Sequence, residues 1–304
     1  MAAGPNLMTR GPTSWPETGP HGRKPNPRDG MHVRRALIAG LAFACAWACI
    51  LGALGTVLAP VAIAAPSVKL AASFSPERLG KGTTIHVGFQ VVYPSGELPL
   101  AATSIQFFLP PGLGIGTSEL GLQNCQPTQL ELLGRAGCPP NSLMGHGTAT
   151  TAVPFGSRFV IEHTSVTLFS GPLVGSNPQL LFVTVGEYPV IAEVIFSALV
   201  LPAGPHFGGV IETKLPLVPS VPYGPDIALL GLQTTIGPAG IVYHEDIDGK
   251  IVSFRPRGIL LPKRCPRGGF PFAVHLNFSD GTAAGANATV PCPRSSASAH
   301  HSFA

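Results

Sequence analysis

The strongest constraint on the fold is a period-two alternation that recurs along the chain after position 65. Ile85, Val87, Phe89 and Val91 share one face of an extended segment, with His86, Gly88 and Gln90 on the other. Ile105, Phe107 and Leu109 alternate with Ser104, Gln106 and the less polar Phe108. Phe272, Val274, Leu276 and Phe278 alternate with Ala273, His275, Asn277 and Ser279. Successive side chains of a strand point to opposite faces, so each run reads as a strand with one face in a core. Val190 to Leu201 is apolar on both faces apart from Glu193 and Ser197, which predicts a central strand packed from two sides. Phe159 to Phe169 is a less regular strand, with Glu162 and His163 in its middle.

Turn chemistry separates these runs. Asp280-Gly281 and Asp248-Gly249 are favoured hairpin pairs, because both residue types tolerate positive φ. Gly156-Ser157, Gly171-Pro172, Gly204-Pro205 and Gly237-Pro238 punctuate the rest. Long helical periodicity is absent. Many short strands joined by such turns predict an all-β fold, an immunoglobulin-like or jelly-roll-like sandwich following an N-terminal hydrophobic export helix. The sandwich spans 66–294, as one large domain or as two subdomains with a joint near 202–225, where Pro and Gly are dense. One short helix is expected. Thr128-Gln129-Leu130-Glu131 has capping-box spacing, with Pro127 before it and Gly134 as a stop.

Ahead of the sandwich, residues 31–65 have the layout of an export signal. Met31-His32-Val33-Arg34-Arg35 is basic, the run from Ala36 to Ala59 is uncharged, and Ala62-Ile63-Ala64 precedes Ala65-Pro66. Pro60 breaks the apolar helix and favours an extended segment for signal peptidase, which predicts cleavage between Ala64 and Ala65. The apolar run is also long enough to span a bilayer, so a retained N-terminal anchor is the alternative. Both place the sandwich outside the cytoplasmic membrane. Arg34-Arg35 also matches a twin-arginine signal, and Cys45 and Cys49 lack the residues that precede a lipidated cysteine. Residues 1–30 are a Pro- and Gly-rich segment expected to be disordered, or a start misplaced ahead of Met31, and 295–304 reads as a disordered tail.

Charge follows the same partition. Six basic residues precede Ala65 against two acidic ones, which accounts for the whole net charge of +4. The remainder is balanced and offers no basic patch, so it is not expected to bind nucleic acid. Four cysteines lie in the exported part, and an even number in an oxidising compartment predicts two disulfides. Local pairing gives Cys125–Cys138, clamping the short helix. It also gives Cys265–Cys292, because folding about Asp280-Gly281 carries Cys292 opposite about position 269, within reach of Cys265 through Gly268-Gly269.

Four segments together resemble exported proteins of GC-rich bacteria. They are Cys138-Pro139-Pro140-Asn141-Ser142-Leu143-Met144-Gly145-His146-Gly147, Cys265-Pro266-Arg267-Gly268-Gly269-Phe270-Pro271-Phe272, Phe278-Ser279-Asp280-Gly281-Thr282 and Val290-Pro291-Cys292-Pro293. The resemblance implies an exported β-sandwich and carries no activity with it.

Candidate sites are sparse. His244-Glu245-Asp246-Ile247-Asp248-Gly249 is the densest polar cluster, and Asp246-x-Asp248-Gly249 matches part of a calcium loop. Glu245, Asp246 and Asp248 are the candidate metal ligands, with a charged hairpin tip as the plainer reading. His86, His163 and His275 lie within predicted strands and would need to meet across a sheet to bind a metal. No Gly-x-Ser-x-Gly elbow is found, and Gly112-x-Gly114-x-Gly116 lacks the strand-to-helix context of a phosphate cradle. Both tryptophans, Trp15 and Trp47, precede the sandwich, which is therefore poorly equipped to stack sugars. Asn277 and Asn287 head glycosylation sequons. The sequence thus predicts a non-enzymatic structural or interaction module of the cell envelope, with no cofactor and an unidentified envelope or extracellular partner. Its membrane contact would run through the N-terminal segment if uncleaved. A ligand- or metal-binding domain using the acidic hairpin 244–249 is the alternative, and a hydrolase with dispersed catalytic residues is a third reading.

Overall fold

The computed structural model describes residues 66–94, 97–115 and 119–293. These belong to the compact unit Ala62–Ala304. The export segment with its Ala64–Ala65 junction, the leading residues 1–30 and the 295–304 tail lie outside the described residues.

The fold is all-β. Its strands are β1 (Ser67–Ser75), β2 (Gly82–Val92), β3 (Ala102–Leu109), β4 (Leu143–Phe155), β5 (Arg158–Val174), β6 (Asn177–Gly186) and β7 (Ala192–Leu201). They continue with β8 (Gly209–Lys214), β9 (Ala228–Ile236), β10 (Tyr243–Ile247), β11 (Lys250–Phe254), β12 (Ile259–Leu260), β13 (Phe270–Phe278) and β14 (Ala283–Val290). One antiparallel sheet runs β1-β2-β9-β4-β5-β6-β7-β8-β3-β13-β14, with β12 paired to β2, and β10-β11 form a separate hairpin. The ends of the path, β1 and β14, pack side by side, so the sheet curls until it nearly closes into a barrel. Near-closure covers edges that would otherwise offer unpaired backbone groups. Among the described residues no helix is long and apolar enough to cross a membrane.

The alternation read from the sequence decides which face turns inward. Ile85, Val87, Phe89 and Val91 of β2 are buried, as are Ile105, Phe107 and Leu109 of β3. Phe272, Val274, Leu276 and Phe278 of β13 are buried with them. Phe74 lies edge-on to Phe270, with ring centroids 5.1 Å apart, and Phe272 sits 6.0 Å from Phe107. Each such ring stabilises the fold by about 1.5–3 kcal/mol through removal from water. The 202–225 segment carries a strand, β8, which pairs with β7 on one side and β3 on the other within the same sheet.

A second apolar layer covers the outside of β5 and β6. The helix α1 (Pro127–Leu133) sits there, with Leu130 fully buried against Phe169, Leu181 and Val183. β6 is thus buried on both faces from Leu180 to Val183. The helix starts two residues earlier than the capping-box reading places it. Gln126 is the N-cap, with no side-chain cap bond, and Pro127 occupies the first turn. Proline starts the helix by itself, because its φ is already helical and it has no N–H to leave unsatisfied. Gly134 ends the helix at φ 60°.

The disulfides are Cys125–Cys138 and Cys265–Cys292. The first ties together the two ends of the helical segment, and the Cys125 amide donates to the Ser170 carbonyl of β5 at 2.7 Å. The second closes the open end of the β13–β14 hairpin, whose Phe270–Val290 pair sets Cys292 opposite Gly268. Two disulfides are compatible with an extracellular or envelope location.

Candidate functional site

The barrel interior is not filled along its whole length. An apolar cavity of about 180 Å³ lies among inward-facing side chains of β2 to β9. Val166 and Leu168 of β5, Phe182 of β6 and Val194 and Phe196 of β7 form part of its wall. Phe182 and Phe196 are register partners and stack face to face with centroids 5.0 Å apart. Val190 from the β6–β7 loop and Pro216, Val218 and Ile227 from the β8–β9 connection line it at one end.

That end is where Glu162 sits. Its place follows from strand parity: Glu162, Thr164, Val166 and Leu168 occupy alternate positions of β5 and all line the cavity. The carboxyl is only 3% exposed. It accepts hydrogen bonds from the backbone amides of Tyr188 and Val190, so the β6–β7 loop wraps over it. Burial holds its pKa above the ordinary carboxylate range, against the lowering effect of those two amides. Gly186 leaves the room the carboxyl needs, since any Cβ there would collide with Oε1. Oε1 has no hydrogen-bond partner, and neither has Thr151 Oγ1. Thr151 is the register partner of Glu162 across β4 and β5 and lines the same cavity. Among the described residues four buried side-chain oxygens lack a partner, and two of the four meet here.

The same barrel end is unusually apolar outside. The β4–β5 hairpin tip exposes Phe155 at 76% and also Phe159 and Ile161. The β6–β7 loop exposes Tyr188 and Ile191, the latter at 89%. The β8–β9 connection exposes Val221 and Tyr223. Antiparallel pairing of β4 with β5 and β9, and of β6 with β7, brings these three connections to one end.

The sites read from sequence are placed elsewhere. Glu245, Asp246 and Asp248 are exposed on the β10–β11 hairpin. Asp248 and Gly249 have φ of 54° and 77°, as a two-residue hairpin turn requires. Asn141 clamps the hairpin base, donating to the His244 carbonyl at 2.6 Å and accepting from the His244 amide at 3.0 Å. Among the described residues no three His, Cys, Asp or Glu side chains converge to hold a metal ion.

His86, His163 and His275 lie on β2, β5 and β13, which are not neighbours in the sheet, and the structure does not bring them together. His163 Nδ1 lies 3.3 Å from Thr150 Oγ1, and the His275 ring packs against Phe108 with centroids 5.1 Å apart. A shallow depression on the outer face places His86 and His146 on either side of Thr235, through register pairs with that residue. Gly114 forms a bridge to Leu260, and Gly116 lies outside the described residues.

Glu162 and Thr151 were open to sequence reading only in part. A charged residue in phase with Val166 and Leu168 is the signal that it faces inward. Compared with protein-family models, curated proteins and solved structures, the chain matches none.

Proposed function

We propose that this chain is an exported, non-enzymatic binding module of the cell envelope that holds a small apolar molecule inside its barrel. The observation that carries this reading is the apolar cavity itself, with walls from eight strands and one end lined by two connections. Close packing is the rule in protein interiors, and a void costs the dispersion contacts its walls forgo. An apolar cavity of about 150 Å³ stays dry and binds benzene, so one of about 180 Å³ has the size and chemistry for a comparable guest. Binding rather than catalysis is favoured because Glu162 is the one ionisable side chain among the cavity's lining residues, with no nucleophile–base pair beside it. Export is supported by the 31–65 segment and by the two disulfides. Calorimetric titration of the purified exported protein with toluene tests the reading. Saturable binding supports it; the absence of binding up to the solubility limit of toluene removes it.

A second reading has its own observation. The exposed Phe155, Ile191 and Tyr223 at the cavity's end are suited to an interaction surface for an envelope partner. Charged substitutions at all three would abolish such an association while leaving toluene binding intact.

A further inference from the structure

The polar groups along the cavity wall fall into two sets. Thr164, Thr184, Thr213 and Thr234 are committed to the barrel itself: their hydroxyls donate to the carbonyls of Ala149, Val194, Ser197 and His146. Thr151 Oγ1 and Glu162 Oε1 are not committed to anything. As directly opposed residues on one face of an antiparallel pair, they have Cβ atoms about 4.5–5.5 Å apart. The amides of Tyr188 and Val190 fix the carboxyl, so its orientation is set before any ligand arrives. An unpaired buried carboxylate is costly, whereas a paired one is tolerated.

We infer that Glu162 and Thr151 form a recognition pair for the ammonium group of a compact apolar amine, an inference that rests on the reading of the cavity as a ligand site. Two adjacent acceptors match the donors of an ammonium group: one N–H donates to Glu162 Oε1 and another to Thr151 Oγ1. The apolar body then lies against Val190, Ala192 and Val194, which line the cavity at the Glu162 end. The carboxylate supplies a charge-assisted hydrogen bond, roughly twice as strong as a neutral one. With Glu162 the one ionisable group lining the cavity, nothing else there neutralises the cation. An alcohol of the same shape gains a neutral hydrogen bond, a hydrocarbon gains only apolar burial, and a carboxylate ligand meets Glu162 as a like charge.

The test is a series of near-isosteric ligands, benzylamine, benzyl alcohol, toluene and benzoate, titrated calorimetrically into the purified exported protein at about pH 8, where the amine is an ammonium group. The expected order is benzylamine, benzyl alcohol, toluene, with benzoate not binding. Benzylamine should bind at least about ten-fold tighter than toluene. Glu162→Gln should bring benzylamine down to the affinity that toluene has in the same variant, and Thr151→Val should weaken benzylamine by about three-fold or more. If toluene binds and benzylamine binds no better, the recognition pair is refuted and the apolar site stands. If none of the four binds, both readings fall. Should Glu162→Gln fail to fold, as seen by circular dichroism, the wild-type series and Thr151→Val decide the matter alone.

Discussion

Thr151 and Glu162 face each other across two antiparallel strands, and neither Thr151 Oγ1 nor Glu162 Oε1 has a hydrogen-bond partner. A barrel selected for stability alone would fill this position with apolar side chains. Keeping a carboxyl there costs stability, and the cost is measurable.

Burial raises the folded-state pKa of Glu162 above its unfolded value. Its contribution to stability is therefore fully present below the unfolded pKa and is lost as pH rises through the folded pKa. Urea midpoints measured from about pH 4 to pH 8 should fall for the wild type relative to Glu162→Gln. At pH 8 the variant should be the more stable by about 1 kcal/mol, or about 2–4 °C in Tm. A variant less stable than wild type at pH 8 would show that the carboxylate is satisfied in the folded protein.

Tyr243 is a contrasting buried polar group, because every bond it needs is made. It is fully buried, donates to the Leu143 carbonyl at 2.5 Å and accepts from the Gly121 amide at 2.9 Å. Tyr243→Phe removes both of these hydrogen bonds. The expected loss is about 1–3 kcal/mol, read by urea denaturation.

At the acidic hairpin, the clamp and the carboxylates should separate cleanly. Asn141→Ala removes two hydrogen bonds to His244 and should cost about 1–3 kcal/mol. Replacing both Asp246 and Asp248 by Ala should change stability by about 0.5 kcal/mol, since both are exposed. Calcium should leave Tm unchanged in either background. A shift of the size expected at about 100 times a dissociation constant, about 2.7 kcal/mol, would instead establish a calcium site there.

Much of this architecture is legible in the sequence. β2, β3 and β13 declare themselves through alternation, because one face of each meets the core and the other meets water. β7 reads as a strand packed from two sides, yet only Ala198 is buried and Glu193 and Ser197 on its outer face are exposed. Other strands are harder to read for physical reasons. β14 is implied by the Asp280-Gly281 turn but shows little alternation of its own, being mostly Ala from Ala283 to Ala288 and held by its ladder to β13 more than by side-chain burial. β8 is short and sits among prolines and glycines that suggest a connection. The start of α1 is misplaced by two residues because Thr128 mimics an N-cap that Pro127 makes unnecessary. The cavity is invisible to local reading altogether. Glu162 shows its inward parity, but what it faces depends on how eight strands curve around it.

The two disulfides should contribute differently. Cys125–Cys138 spans 13 positions and Cys265–Cys292 spans 27. Loop-closure entropy alone gives about 3 kcal/mol for the shorter loop, and about 0.6 kcal/mol more for a doubling. The shorter bridge also anchors α1 over Phe169 and Leu181. Its Cys→Ala double variant should therefore expose the outer face of β6 and bind an apolar dye, whereas the Cys265/Cys292 variant should lose stability without doing so. Equal dye binding by both would show that α1 holds its place without the bridge.

Whether the barrel receives a small apolar molecule is decided by methyl-detected NMR of the protein during a toluene titration. Saturable shifts are expected at Val166, Leu168 and Val194, which line the cavity, with none at Leu130 on the inner face of α1 or Ile251 on the β10–β11 hairpin. Shifts confined to exposed Ile191 at the barrel end, or no shifts at all, would contradict the account.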